Sequence, residues 1–176
     1  MTVAGEPTEL APMGVLEHAE QLVSLSAEPG PVSAVHARRA VSAAYYAVLH
    51  RLCLAVAATA LPGGSAADRH ALCRSFSHAS VEVVARWVVG AAVAPAAVGG
   101  LVRGSAGPEL CRYAERVLQL QAWRVHADYD HERRIGHPLA LLACHGAREA
   151  ITALDAARAG PGWPAFSSLM LHRGRW

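Results

Sequence analysis

The stretch Val41-Ser-Ala-Ala-Tyr45-Tyr46-Ala-Val-Leu-His50-Arg-Leu-Cys-Leu-Ala-Val56 decides the fold of this chain. Val41, Tyr45, Val48, Leu49, Leu52 and Val56 recur at helical spacing, so they form one broad apolar stripe. A stripe this wide suits a helix at the centre of a bundle, buried on more than one side. Ser33 offers an N-cap for it, and the pattern continues to about Thr59, where Pro62-Gly63-Gly64 stops it.

Working outward, the same periodicity predicts a helix from about Glu9 to Ala27, ended by Pro29-Gly30-Pro31. A helical pattern also covers Ala66 to Val89, capped by Ser65 with Asp68 and broken near Ser75 to His78. Gly90 to Gly107 is small and Gly-rich, and reads as a loop with at most a short helix. Pro108 opens the next helix, with Glu109 favouring its N-terminal dipole, and this helix reaches about Asp128. Pro138 opens the last one, whose Leu139, Leu142, Ala143, Ala147, Ala150, Ile151 and Leu154 form a strong stripe before Gly160-Pro161-Gly162. These elements predict an all-α protein, an antiparallel four- to five-helix bundle over residues 1–160. Residues 161–176 read as an extended C-terminal tail with exposed aromatics.

Composition agrees and narrows the chemistry. The chain has 176 residues, enough for one domain with a real core. Aromatic residues are only 6 % and β-branched runs are few, which disfavours a sheet. All 16 basic residues are Arg, so a P-loop, a Schiff-base lysine and the kinase lysine are excluded. A formal net charge of +2 is no general nucleic-acid coat, so any phosphate binding must be local. The start, Met1 to Glu6, lacks the marks of a secretory leader. The longest uncharged apolar run, between Arg86 and Arg103, is short and broken by Gly90, Pro95, Gly99 and Gly100, so no membrane span is expected. Cys53, Cys73, Cys111 and Cys144 are widely spaced and read as buried thiols of a cytoplasmic protein.

The candidate chemistry lies in Arg124-Val-His126-Ala-Asp128-Tyr129-Asp-His131. On a helical wheel Leu110, Val117, Gln121, Arg124 and Asp128 share one side, so an apolar stripe turns polar in its last two turns. Arg124 and Asp128 form an i, i+4 pair, with His131 about one turn further. The plain alternative is a helix end dressed with solvated charge and one ordinary ion pair. The functional reading rests on the combination of types. Arg supplies a planar, permanently charged fork for phosphate, and His exchanges protons near neutral pH. Such a pair cleaves RNA without a metal: one group takes the 2′-OH proton, the Arg holds the crowded phosphate, and a proton reaches the leaving oxygen. Tyr129 suits base stacking or donation to phosphate. Tyr45, Tyr46 and His50 are candidates for a nucleotide site, with at least one Tyr expected in the core. His126, Asp128, Asp130 and His131, or His70, Cys73 and His78, have loose metal-ligand spacing, but the metal-free reading is preferred and no cofactor is called for.

Two motifs in order resemble HEPN domains. Arg39-Ala-Val-Ser-Ala-Ala-Tyr45-Tyr46-Ala-Val-Leu-His50 is similar to their second-helix signature, and Ala127-Asp128-Tyr129-Asp130 to the Ala-Asp-Tyr element before their last helix. Arg69-His70 and Phe76 sit where such proteins often place a His and a Phe. The resemblance spans about Ala34 to Leu154. It implies a helical bundle, a homodimer with its polar motifs meeting in an interface cleft, and metal-independent RNase activity in a toxin or anti-phage defence role. A small nucleotidyltransferase antitoxin is the partner such proteins often have. It also implies a catalytic Arg followed, after about four to six residues, by a His, and Arg124 and His131 fit this. Asp128, Tyr129, His126, Tyr46 and His50 are the candidate binding residues. A rival reading, which Ala127 favours, is a non-catalytic HEPN module that binds a nucleotide, RNA or protein partner. A third is a structural helical subunit that uses the tail from Gly162 as its contact.

Overall fold

The computed structural model describes residues 11–103 and 106–172, and no strand occurs among them. Among the described residues eight helices follow one another: α1 (Pro12–Ser26), α2 (Ser33–Ala60), α3 (Ala66–Cys73), α4 (His78–Val88), α5 (Ala96–Arg103), α6 (Pro108–Tyr129), α7 (His137–Ala157) and α8 (Trp163–Leu171). The fold is therefore all-α, as expected, but with four long helices and four short ones where four or five were foreseen. The expected helix start at Glu9 and the terminal Trp176 lie outside the described residues.

α1, α2, α6 and α7 form the main bundle, and α2 touches the other three. Ala37, Ala40, Val41, Ala44, Tyr45, Val48, Leu52 and Val56 of α2 are fully buried. Its many alanines let neighbouring helices approach closely, while Val, Leu and Tyr fill the space between them. α2 is long and apolar enough, by length and composition alone, to cross a membrane. Two-thirds of its apolar window is buried inside the bundle (67 %), which is what a core helix does. Arg38, Arg39 and Arg51 interrupt it, so it is not an uncharged run in sequence.

Local chemistry sets the boundaries. Ser33 is the first helical residue and not the N-cap, which is Val32; the Ser33 hydroxyl instead donates back to the Gly30 carbonyl at 3.1 Å. The Ser65–Asp68 capping box forms in full. Ser65 Oγ accepts from the Asp68 amide at 3.2 Å, and Asp68 Oδ2 accepts from the Ser65 amide at 3.0 Å. The shorter Asp thus serves where Glu is usual. Ser77 caps α4, accepting from the Ser80 amide. α4 ends before Gly90, whose φ of 72° is the left-handed geometry that suits a helix stop. Pro108 and Pro138 stand in the first turns of α6 and α7, as read from sequence.

The C-terminal segment corrects the expectation of an extended tail. It folds as α8, and Trp163, Phe166, Leu169 and Met170 are buried against α2, α4 and α5. Trp163 Nε1 donates to Thr59 Oγ1 at 2.9 Å, and Phe166 meets Tyr113 edge-on at 6.0 Å. Gly160-Pro161-Gly162 ends α7, not the bundle. None of the four cysteines forms a disulfide; Cys53 and Cys144 are buried, while Cys73 and Cys111 are only partly so, which corrects the uniform expectation. Burial pushes the Cys53 thiol up to about 12 and that of Cys144 to about 11, so neither is a ready nucleophile.

Candidate functional site

The last turns of α6 lie against the first half of α2, and this contact builds the site. Ser42, Tyr46 and the two arginines Arg38 and Arg39 come from α2. Asp128 and Tyr129 come from α6, and His131 from the turn that follows. These residues line an open cleft of about 440 Å³.

Arg124 does not line the cleft itself but contacts Tyr46, Asp128 and Tyr129, which do, and its side chain is only 13 % exposed. Its Nη2 donates to Tyr46 Oη at 2.9 Å and to Tyr129 Oη at 3.3 Å. The guanidinium carbon lies 5.5 Å from the Tyr46 ring centre and 5.2 Å from that of Tyr129, within cation–π range. Nε approaches Asp128 Oδ2 to 2.6 Å as an ion pair. The angle at Nε does not suit a hydrogen bond, so the contact is chiefly electrostatic. Burial works against the charge on Arg124, but Tyr46, Asp128 and Tyr129 outweigh it and hold the pKa above its ordinary value. Nη1 carries no hydrogen bond to any described residue. The result is a fixed cation with one amino group left over, which suits an anionic ligand.

The sequence-predicted residues separate into three groups. Arg124, Asp128, Tyr129 and Tyr46 are brought together, with Ser42 Oγ donating to Asp128 Oδ2 at 3.4 Å. His131 lines the same cleft but makes no direct hydrogen bond or ion pair to Arg124. His126 stands apart: it pairs with Asp130 at 3.5 Å and does not line the cleft. His50 packs on Tyr46 with ring centres 6.1 Å apart, and burial lowers its pKa. Tyr45 is wholly buried and Tyr46 half-buried, so one tyrosine belongs to the core and the other reaches the cleft. Among the described residues, no three His, Cys, Asp or Glu side chains converge to hold a metal ion, so neither loosely spaced set comes together.

Two residues at the site take roles that the sequence did not show. The Arg38 guanidinium reaches across from α2 to the end of α6. It donates through Nη1 to the carbonyls of His126 at 3.2 Å and Ala127 at 2.9 Å. Through Nη2 it donates to the carbonyls of Asp130, at 2.9 Å, and Arg133. It thereby adds a second donor to the His126 carbonyl, which already accepts from the Asp130 amide, satisfies the carbonyls beyond it, and fixes the turn that carries His131. The second is His78, the first residue of α4. Its Nδ1 lies 2.8 Å from Tyr45 Oη, and its ring meets Tyr46 edge-on at 5.6 Å. The HEPN resemblance points to His70, and the spacing offers His78 only as a loose metal-ligand candidate, whereas His78 is the histidine against the tyrosine pair. No local signal marks either residue, because both contacts join distant parts of the chain.

Comparison with known proteins finds no matching family model, no matching curated protein and no matching solved structure.

Proposed function

We propose that this chain is a HEPN-type, metal-independent RNA endonuclease of the cytoplasm, acting in a toxin or anti-phage defence role. The observation that carries the reading is the fixed, half-satisfied guanidinium of Arg124, held by Tyr46, Asp128 and Tyr129, three residues that line one cleft with His131. Arg124 holds the scissile phosphate. A histidine takes the 2′-OH proton as the 2′-oxygen attacks phosphorus, and the 5′-oxygen leaves with a proton. His131 is the proton-transfer group of this scheme, and Tyr129, 65 % exposed, is the stacking surface for a base. In this reading the chain works as a homodimer and is restrained by a nucleotidyltransferase antitoxin. The test is RNA cleavage by the purified chain with chelator present.

One observation favours the rival, a non-catalytic HEPN module that binds a nucleotide, RNA or protein partner. The Asp128 carboxylate 2.6 Å from Arg124 already neutralises much of its charge, which suits binding better than the stabilisation of a growing phosphate charge. RNA binding without cleavage, with or without metal, selects the rival.

A further inference from the structure

Tyr45 is fully buried, and its hydroxyl must find a partner there. Its one hydrogen bond among the described residues is the 2.8 Å contact with His78 Nδ1. No other acceptor receives the phenolic hydrogen, so Tyr45 donates and Nδ1 accepts. That assignment puts the imidazole proton on Nε2. Burial raises the Tyr45 pKa, so the phenol keeps its hydrogen and remains the donor.

The ring of His78 is held on both sides that matter. It leans on Tyr45 at 5.5 Å and meets Tyr46 edge-on at 5.6 Å, while Tyr46 Oη carries the Nη2 bond from Arg124. Burial and the Arg124 cation both lower the pKa of His78, and Asp128 opposes them more weakly. The neutral ring is therefore the resting form near neutral pH. His78 is partly exposed, it touches the cleft only through Tyr46, and Nε2 has no hydrogen-bond partner among the described residues. Arg124 and His78 thus flank Tyr46, each with a fixed ring or fork and an unspent N–H.

We propose that His78 is a ligand-binding side chain of this site, presenting Nε2–H to a phosphate oxygen of RNA whose neighbouring oxygens Arg124 holds. This rests on the RNA reading above. The competing role is purely structural: a partner for the Tyr45 hydroxyl that ties α4 to α2.

Long-range proton–nitrogen NMR of the full chain at pH 7 reads the His78 tautomer directly. Nε2–H with a bare Nδ1 is expected, and addition of a 2′-O-methyl oligoribonucleotide, which cannot be cleaved, should shift Nε2. In a fluorescence binding assay with the same oligonucleotide, His78→Ala should weaken binding about ten- to a hundredfold. His78→Gln, which keeps an amide N–H, should recover most of the loss, and it stands in if the Ala variant does not fold. An Nδ1–H or charged imidazole at pH 7 overturns the proposal, as does unchanged binding by both variants of a protein that cleaves RNA. Wild-type protein that binds through His78 but cleaves nothing upholds His78 and removes the nuclease reading. Wild-type protein that binds no oligonucleotide overturns both.

Discussion

Tyr46 and Arg124 stand 78 residues apart in sequence, yet the guanidinium Nη2 donates to the phenolic oxygen at 2.9 Å. With Tyr129 on its other flank, Arg124 is fixed before any ligand arrives. Pre-set orientation of this kind is what a phosphate-holding group needs, because the ordering cost is met in folding and not in binding.

Tyr46→Phe should therefore keep the fold and lose that orientation. A hydrogen bond to a charged, mostly buried group contributes about 1.5–3 kcal/mol, reduced here because Tyr129 still holds Nη2. The expected loss is about 1 kcal/mol in urea unfolding, with RNA cleavage reduced at least about tenfold. Unchanged cleavage would show that Arg124 does not depend on the clamp.

Arg38 makes a sharper demand on residue type. Arg38→Lys keeps the charge but cannot reach several carbonyls with one ammonium. Amide hydrogen exchange should rise in the turn from Asp130 to Gly136 while the centre of α2 stays protected, with about 1–2 kcal/mol lost from global stability. Exchange in that turn equal to wild type would count against its anchoring by Arg38.

Removing residues 163–176 should abolish cooperative unfolding, since Trp163, Phe166, Leu169 and Met170 are buried on the bundle. Trp163→Ala alone should cost about 3–5 kcal/mol. A truncated chain that unfolds in one sharp transition would mean that α8 is an appendage.

Acid should weaken the fold through two histidines. His50 and His78 both have lowered pKa values in the folded protein, chiefly through burial. The unfolded chain thus takes up protons first as pH falls through about 6.5, and stability drops in the window just below that value. Denaturation midpoints at pH 7.5 and 5.5 test this, and His50→Gln should reduce the difference. A midpoint that rises on acidification would reverse the assigned sign.

The legible parts of this protein were the local ones. α1, α2, α6 and α7 announce themselves through apolar spacing and Pro or Gly boundaries. The Arg124–Asp128 pair follows from a four-residue step on one helix. α8 was missed because Gly160-Pro161-Gly162 reads as the end of the structure, although Trp163, Phe166, Leu169 and Met170 follow at helical spacing. The contacts of Arg38 and His78 were missed for a different reason. Arg38 caps a helix from 88 to 95 residues away, and His78 meets a tyrosine 33 residues earlier. Periodicity carries no information about which distant elements meet.

The central claim is that Arg124 and His131 cleave RNA without a metal, and one measurement reaches it most directly. Purified wild-type protein, Arg124→Ala and His131→Ala are incubated with RNA in EDTA, with circular dichroism confirming that each remains helical. The wild type should cleave. Arg124→Ala should lose about a hundred- to a thousandfold in rate, and His131→Ala about a hundred- to ten-thousandfold. Wild-type protein that leaves RNA intact in EDTA and in added metal, or a His131→Ala variant that cleaves at the wild-type rate, would contradict the account.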